Sequence, residues 1–361
     1  MAVTRFLAVL SVYCLLVAFG PLDPDTTLIA HSPNDSGNFI GSPSILVLQS
    51  GRYLVSHDFF GDGPKANSTD VYFSRDGGES WQLQASLPDQ FWSGLFEHRG
   101  GLYLIGTRGE FGPVVIRRSL DMGRTWTQPD SPQLGVLTDD RPYHGAAVPV
   151  IEYGQRLWRG FEFKGDRVLV LLSASVDATL LERSHWRQVE LSHDGSASTW
   201  LEGNLVVAPD GALVSVLRRE FADDTAAVVK LSEDGSRFKH DSEVDVIQFP
   251  GGGSKFTIRY DKESGRYWSI VNQQTDPDAF RNHLVLTSSK DLYHWQIERR
   301  LAFHPDAKRY SWQYADWQID GEDLVAVLRM AGDFGGERPS SAYLSNLLGF
   351  LRVENFRDSR D

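Results

Sequence analysis

A short phrase recurs along this chain and constrains its fold more than any other feature. Residues 71–81 read VYFSRDGGESW and residues 116–126 read IRRSLDMGRTW. Both fit Ser-x-Asp-x-Gly-x-(Ser/Thr)-Trp, with Asp76 and Trp81 in the first copy and Asp121 and Trp126 in the second. Asp bonds nearby backbone N–H groups and Gly tolerates positive φ, so each copy predicts a strand, a tight turn and a returning strand covered by the Trp ring. We expect these Asp and Trp residues to be structural.

Weaker copies of the phrase occur at residues 232–238 and 289–295. β-Units that repeat every 40 to 50 residues or so are typical of propeller blades. The phrase resembles the Asp-box of sialidase-type β-propellers, and this resemblance implies an all-β, six-bladed propeller with the boxes on its outer rim. Seven blades are the alternative, because the strand spacing is uneven near 170–195 and 240–255. The short β-like run at 26–30 is suited to completing the last blade and closing the ring.

Composition and charge limit the classes of molecule that this protein is expected to bind. The formal net charge is −12 and no run of Lys or Arg is present, which argues against a nucleic-acid partner. A polyanionic substrate stays open, since a few arginines can line one cleft of an acidic protein. The sequence contains no zinc pattern, phosphate loop or nucleophile elbow, so we predict no metal and no cofactor.

The pattern of the N-terminal residues predicts that the protein is exported. Arg5 is followed by an apolar stretch, residues 6–19, which is too short for a comfortable membrane span and is typical of a secretory signal. We therefore expect a signal peptide at 1–20, one propeller domain at 21–361 and a secreted or periplasmic protein, anchored to the membrane if the signal is uncleaved. The only cysteine, Cys14, lies in this segment, so cysteine chemistry is not expected in the mature protein.

Polar clusters near predicted inner strands are the candidates for chemistry. His57 lies at the end of a regular predicted strand. It could act as an acid or base, or it could be a surface histidine or one that supports the site from behind. Tyr143 and Arg159 fall on neighbouring predicted strands and could face each other across a hairpin. There Arg159 would bind a carboxylate and Tyr143 would deliver a proton, with His98 coming from the preceding blade. The alternative is a buried Arg–Tyr hydrogen bond that holds blades together.

Several longer sequence segments resemble a narrower group of propellers. These segments are residues 41–45, 56–58, 92–98, 143–150, 156–159, 200–204 and 314–317. They resemble the propeller group that contains ulvan lyases and a related α-L-rhamnosidase family. The resemblance to the lyases implies a catalytic set of one His, one Tyr and one Arg. In this sequence the matching residues are His98, Tyr143 and Arg159. A further lyase histidine has no counterpart, because the first Asp-box occupies its place.

The resemblance to the rhamnosidases implies a lone catalytic base, which falls here on His57. We therefore expect a glycoside hydrolase acting on a complex, uronate-containing oligo- or polysaccharide. Because glycosidases commonly use two carboxylates, Asp58, Glu110 or Glu202 could supply one. The predicted substrate-binding residues are His144, Trp92, Trp200, Glu202, Trp312 and Arg218.

Three alternatives remain open. The first is a polysaccharide lyase using His98, Tyr143 and Arg159. The second is an exo-sialidase, although that family's Arg-Ile-Pro phrase is replaced by residues 41–44, reading GSPS, and its arginine triad would depend on Arg218, Arg259 and Arg329. The third is a glycan-binding propeller without catalytic activity.

Overall fold

The structure is a computed structural model, and the residues it describes are 26–48, 51–165, 168–191, 200–220, 224–232, 234–239, 245–276 and 281–358. The expected signal peptide and Cys14 lie outside these residues. Within them the chain forms 26 β-strands and two short 3₁₀ helices, Asn34–Ser36 and Arg183–His185.

The strands form six antiparallel sheets, one for each blade of a propeller. Strand β1 (Thr26–His31) precedes the first blade, which contains β2 (Asn38–Ile40), β3 (Ser44–Leu48), β4 (Arg52–Gly61), β5 (Ser68–Ser74) and β6 (Gln82–Pro88). The second blade contains β7 (Phe91–His98), β8 (Gly101–Thr107) and β9 (Val114–Ser119). The third blade contains β10 (Tyr143–His144), β11 (Ile151–Tyr153), β12 (Arg156–Phe163), β13 (Leu169–Ser175) and β14 (Trp186–Leu191).

The fourth blade contains β15 (Trp200–Val207), β16 (Leu213–Arg219), β17 (Thr225–Leu231), β18 (Phe238–Lys239) and β19 (Val246–Gln248). The fifth blade contains β20 (Ile258–Asp261), β21 (Arg266–Asn272), β22 (His283–Ser289) and β23 (Trp295–Phe303). The sixth blade contains β24 (Ser311–Asp320), β25 (Asp323–Ala331) and β26 (Leu347–Val353). The predicted all-β, six-bladed propeller of sialidase type is confirmed, and the count is six rather than seven.

The first described strand closes the ring. β1 pairs with β26 from Thr26↔Leu351 to His31↔Leu347, so it becomes the outermost strand of the sixth blade. The prediction that residues 26–30 complete the last blade is confirmed. In this arrangement the edge of β26 is covered by a strand from the other end of the described chain.

Apolar clusters fill the junctions between neighbouring blades. Leu54 of the first blade shares a cluster with Leu104 of the second, and each of the other junctions has a cluster of its own. β1 contributes to two of them, with Leu28 packed between the fifth and sixth blades and Ile29 between the sixth and the first. Burying one such side chain contributes about 1.5–3 kcal/mol.

The Asp-box turns join the third strand of a blade to the returning chain. In the first box, Ser74 Oγ and the Ser80 amide donate to Asp76 Oδ1 at 2.8 and 3.0 Å, and Trp81 Nε1 donates to the Gly78 carbonyl at 3.0 Å. The second box repeats these bonds around Asp121 and Trp126. The weaker copies form related bonds around Asp234 and Asp291. These contacts give the Asp and Trp residues a local structural role.

The third blade does not form the hairpin in which Tyr143 and Arg159 could face each other. The chain leaves the sheet between β10 and β11, where the Val148 amide donates to the Ala146 carbonyl and Pro149 has no N–H. Tyr143 pairs with Phe163, whereas Arg159 pairs with Leu172. Tyr143 and Arg159 therefore do not face each other across a hairpin.

Removing β1 tests the closure. A variant lacking residues 1–31 loses the partner of β26 and the apolar contacts of β1, and we expect its free energy of unfolding to fall by about 3 kcal/mol. A variant lacking only residues 1–25 keeps β1 and serves as the matched control. Thermal denaturation followed by circular dichroism compares them, and equal melting temperatures would contradict the closing role of β1.

Candidate functional site

A cavity of about 340 Å³ opens at one mouth of the propeller. Its lining comes from the beginnings of inner strands and the ends of the strands that follow them. The residues that bear on chemistry are Asp58, Trp92, Glu110, His144, Glu202, Arg218, Arg281, Tyr314 and Arg329. Asp58, Glu202, Arg218 and Arg329 are buried, while Trp92, His144 and Tyr314 are half-buried. The cavity thus has a charged, buried floor.

Three irregularities in inner strands aim side chains into this cavity. The register shifts in β7 between Phe91 and Gly94, in β15 between Leu201 and Asn204, and in β24 between Gln313 and Asp316. Each contains one non-glycine residue of positive φ: Trp92 at 46°, Glu202 at 54° and Tyr314 at 59°. All three line the cavity. Bulges commonly re-aim a side chain beside an active site, and backbone strain is retained there.

Asp58 is the acid of the site whose pKa is raised. It lies on β4 and is 1% exposed, with Oδ1 accepting the Ser42 amide and Oδ2 the Trp92 amide, both at 2.6 Å. Burial raises the pKa of Asp58 to about 7, although the two amides and the charge of Arg329 oppose the shift. A carboxylic acid that keeps its proton near neutral pH can serve as a general acid.

Glu202 is the ionised acid of the site. Tyr314 Oη donates to its Oε1 at 2.9 Å and Arg218 Nη1 donates to its Oε2 at 2.8 Å. Burial by itself would raise the pKa of Glu202, but the charge and hydrogen bond of Arg218, together with the hydrogen bond from Tyr314, hold it below its usual range. Burial and the neighbouring Glu202 charge raise the pKa of Tyr314. The pair therefore holds one proton on the phenol, next to a carboxylate that can accept it.

Three guanidinium groups line the same cavity. Arg329 lies with Cζ 4.0 Å from the Tyr314 ring centroid, and Arg281 Nη1 and Arg329 Nη2 donate to the same Gln313 oxygen at 2.5 and 3.0 Å. Burial lowers the pKa of Arg281 to about 10, and the positive charges of Arg329 and Arg218 add to the effect. Groups of like charge held this close favour an anionic ligand between them.

Aromatic rings form another part of the lining. The Trp92 ring centroid lies 4.4 Å from that of His144 and 5.1 Å from that of Phe111. Near Arg329, the ring centroids of Phe60 and Tyr343 lie 5.4 Å apart. Exposed ring faces of this kind suit the C–H faces of a sugar.

The cavity is lined by some of the residues that the sequence predicts to bind substrate. Of the predicted substrate-binding residues, Trp92, His144, Glu202 and Arg218 line it. Trp200 is instead buried in the apolar cluster between the third and fourth blades, and Trp312 packs against the cluster between the fifth and sixth. Neither tryptophan is among the cavity residues, because each lies in a blade junction. Of the proposed carboxylates, Asp58, Glu110 and Glu202 are all in the lining.

The four residues predicted to be catalytic lie outside the cavity lining. His57 is fully buried between Phe59 and Tyr72, and burial lowers its pKa to about 4. Its neighbour Asp58 takes the cavity-facing side of β4, because successive residues of a strand point to opposite faces. The placement of His57 therefore gives it no contact with a substrate in this cavity.

The predicted lyase set is not brought together. His98 Nε2 donates to the Val176 carbonyl at 2.8 Å, and Tyr143 Oη donates to Asp139 at 2.7 Å. Arg159 is fully buried and donates to the Gly160 and Ala146 carbonyls. These three side chains serve separate structural contacts.

Sequence reasoning missed Tyr314 and Arg281. Tyr314 opens one of the recognised phrases, and its place at the start of a predicted inner strand was a usable signal. Arg281 lies just before the third strand of the fifth blade, and no local pattern distinguishes it. Arg218 and Arg329 of the expected arginine cluster are in the cavity, whereas Arg259 donates to the Trp317 carbonyl and Asp316.

The described residues contain no group of three or more His, Cys, Asp or Glu side chains that could hold a metal ion. In the same part of the chain no helix has the length and apolar character needed to cross a membrane.

No protein-family model matches the chain, and no curated protein resembles it in sequence. The closer resemblance to ulvan lyases and rhamnosidases thus gains no support from sequence comparison. Solved structures do match the fold. An α-L-arabinanase of Penicillium chrysogenum superposes with a TM-score of 0.59 at 16% identity, over 93% of this chain and 99% of its own.

An α-L-arabinofuranosidase of Fusarium graminearum matches with a TM-score of 0.61 at 13% identity, over 91% of this chain and 97% of its own. The NanB sialidase of Streptococcus pneumoniae matches with a TM-score of 0.62 at 14% identity, over 92% of this chain and 71% of its own. At these identities the similarity shows the propeller fold.

Asp58 and His57 give opposite pH dependences of stability. The folded-state pKa of Asp58 lies above its ordinary 3.8, so its stabilising contribution is complete below that value and is lost as pH rises through about 7. The folded-state pKa of His57 lies below its ordinary 6.5, so its contribution is present above that value and is lost as pH falls through about 4.

We therefore expect Asp58→Asn to change the pH slope of stability. Between about pH 4 and about pH 7, the free energy of unfolding of the variant should rise relative to wild type by on the order of 4 kcal/mol, since the introduced amide cannot titrate. Urea unfolding across this range measures the difference. His57→Gln is the comparison variant and should shift the slope in the opposite direction; parallel curves for Asp58→Asn and wild type would disprove the raised pKa.

Proposed function

We propose that this protein is an exo-acting glycoside hydrolase that removes a terminal acidic sugar from a glycan. The observation that carries the proposal is the hydrogen-bonded unit of Tyr314, Glu202 and Arg218 in the same cavity as the buried carboxyl group of Asp58. The names of the structural neighbours, an arabinanase, an arabinofuranosidase and a sialidase, support glycoside hydrolysis on this fold.

Charge explains the proposed choice of substrate. A sugar carboxylate would pair with Arg281 and Arg329, whose guanidinium groups share the Gln313 oxygen. Arg218 is already bonded to Glu202, so it holds the catalytic carboxylate. Uronates and sialic acids both carry such a carboxylate, and this shared group defines the proposed substrate class.

Proton positions suggest the chemistry. In the first step the Tyr314 oxygen attacks the anomeric carbon and passes its proton to Glu202, while Asp58 protonates the departing glycosidic oxygen. In the second step ionised Asp58 takes a proton from water, the water oxygen displaces Tyr314, and Glu202 returns the proton to the phenol. A neutral nucleophile suits an anionic sugar because it avoids charge repulsion, and sialidases are known to use a tyrosine in this way.

This proposal replaces the expected roles of several residues. A base at His57 and a lyase set of His98, Tyr143 and Arg159 would each need access to the substrate, and none of these residues lines the cavity. The missing arginine of the sialidase phrase has a steric reason. An ideal Cβ on Gly41 would lie 1.6 Å from Asp58 Oδ1, so Asp58 occupies the space of any side chain there. Export, predicted by the N-terminal segment, would bring the enzyme to extracellular or periplasmic glycans.

Active-site variants test the assignment. We expect Tyr314→Phe and Asp58→Asn to lower kcat/KM by roughly 10²–10⁴-fold, because each removes a group that moves a proton or forms a bond in the reaction. His57→Gln, a neighbour outside the cavity, is the matched control and should retain activity within about threefold where the variant is folded. Steady-state kinetics on aryl glycosides measures the effect. Loss of activity in His57→Gln with full activity in Tyr314→Phe would reverse the assignment.

The carboxylate requirement is a separate prediction. Among aryl glycosides of glucuronic acid, sialic acid, L-rhamnose and L-arabinofuranose, we expect turnover only of an acidic sugar. Its methyl ester should lose about 10–100-fold in kcat/KM, because charge-assisted hydrogen bonds to the arginines are lost. Arg281→Leu should reduce the discrimination between acid and ester. Hydrolysis of a neutral sugar alone would contradict the proposal, an unsaturated ultraviolet-absorbing product would favour the lyase, and binding without turnover would favour a glycan-binding propeller.

A further inference from the structure

A buried glutamate joins two cavity residues from behind. Glu162 lies on β12, is 2% exposed and is not part of the cavity lining. Its Oε1 accepts a hydrogen bond from His144 Nδ1 and another from the Glu202 amide at 3.1 Å. Glu162 therefore links the ring of His144 to the strained backbone that carries the ionised acid.

His144 is left with one nitrogen for a ligand. Its Nδ1 is bonded to Glu162, and its ring lies edge-on to Trp92, in the cavity lining. No residue in the described ranges forms a hydrogen bond with its Nε2. In the tautomer that donates Nδ1–H to Glu162, Nε2 of His144 carries a lone pair, and this lone pair accepts a hydrogen bond from a hydroxyl group.

A comparison within the molecule supports a positioning role for Glu162. Asp58, near the end of β4, accepts the Trp92 amide of the next blade, and Glu162, near the end of β12, accepts the Glu202 amide of the next blade. In both cases a carboxylate on the second strand of one blade fixes the positive-φ residue on the inner strand of the following blade. Asp58 reaches the cavity itself, whereas Glu162 reaches it through His144.

We propose that Glu162 is a positioning residue with two effects, on substrate recognition and on catalysis. It holds His144 so that Nε2 accepts a hydrogen bond from a ring hydroxyl of the sugar, and it fixes the Glu202 bulge so that Glu202 meets Tyr314. This inference rests on the proposed function and deepens it: the substrate is an acidic sugar with a free hydroxyl at the position facing His144. A sugar that is deoxygenated or substituted there is discriminated against.

The tautomer of His144 tests the first effect without any turnover. In ¹⁵N-histidine-labelled full-length protein we expect long-range ¹H–¹⁵N correlation spectra to show His144 protonated at Nδ1 and unprotonated at Nε2, with this signature lost in Glu162→Gln. Glu190→Gln, on the outer strand of the same blade, is the matched control and should leave the His144 signals unchanged. An unprotonated Nδ1 or a protonated Nε2 in the wild type would overturn the proposal. Because this measurement needs no substrate, it separates failure of this inference from failure of the proposed function.

Kinetics on an acidic aryl glycoside tests the second effect. We expect His144→Gln to raise KM about tenfold with kcat within about threefold, because it removes a substrate hydrogen bond. Glu162→Gln should raise KM by a similar factor and also lower kcat about tenfold, because the Glu202 amide loses its charged acceptor. The double variant should show no further rise in KM, since Glu162 acts on KM through His144.

The deoxy analogue completes the test. If the hydroxyl facing His144 is the recognised group, the glycoside lacking it should have a KM about tenfold higher with wild type and an unchanged KM with His144→Gln. A Glu162→Gln protein with wild-type kcat and KM and only a lower melting temperature would show a purely structural glutamate and overturn the inference.

Discussion

Closure of six blades into a ring is the constraint on which the rest of the structure depends. Each junction between blades is filled by its own apolar cluster, and β1 completes the ring from the far end of the described chain. Apolar side chains fill the junctions between blades, and the inner strands interrupt their pairing at Trp92, Glu202 and Tyr314. These three bulges place their side chains in the cavity.

Burial alone does not explain why the pKa values of the two cavity acids differ. Asp58 and Glu202 are 1% and 3% exposed, yet their pKa values move in opposite directions. The difference lies in their partners: Asp58 accepts two neutral amides, whereas Glu202 accepts a bond from the charged Arg218. Neutral donors leave most of the cost of burying a charge in place, and a guanidinium offsets it. Partner choice thus provides one protonated and one ionised carboxyl in one cavity.

The sequence predicts the fold well because the Asp-box is local chemistry. Its Asp, Gly and Trp define a turn within a few residues, and its repetition indicates the blades. The phrases at 92–98, 200–204 and 314–317 each contain a residue that lines the cavity, but the roles within them depend on tertiary geometry. His57 and Asp58 are neighbours on β4, and choosing between them requires knowing which face of the strand meets the cavity. Arg281 comes from another blade, and only the closed ring brings it to the site.

The position of Asp58 also limits what the site can bind. Since its carboxyl takes the space beside Gly41, the first blade supplies the acid, and the guanidinium groups come from the fourth, fifth and sixth blades. A neutral sugar in this cavity would offer Arg329 no charge-assisted hydrogen bond, and a charged donor that loses its hydration without one is costly. The shared propeller fold therefore does not by itself carry the specificity of the arabinanase to this chain; the acidic substrate proposed above rests on the neighbouring guanidinium groups of Arg281 and Arg329.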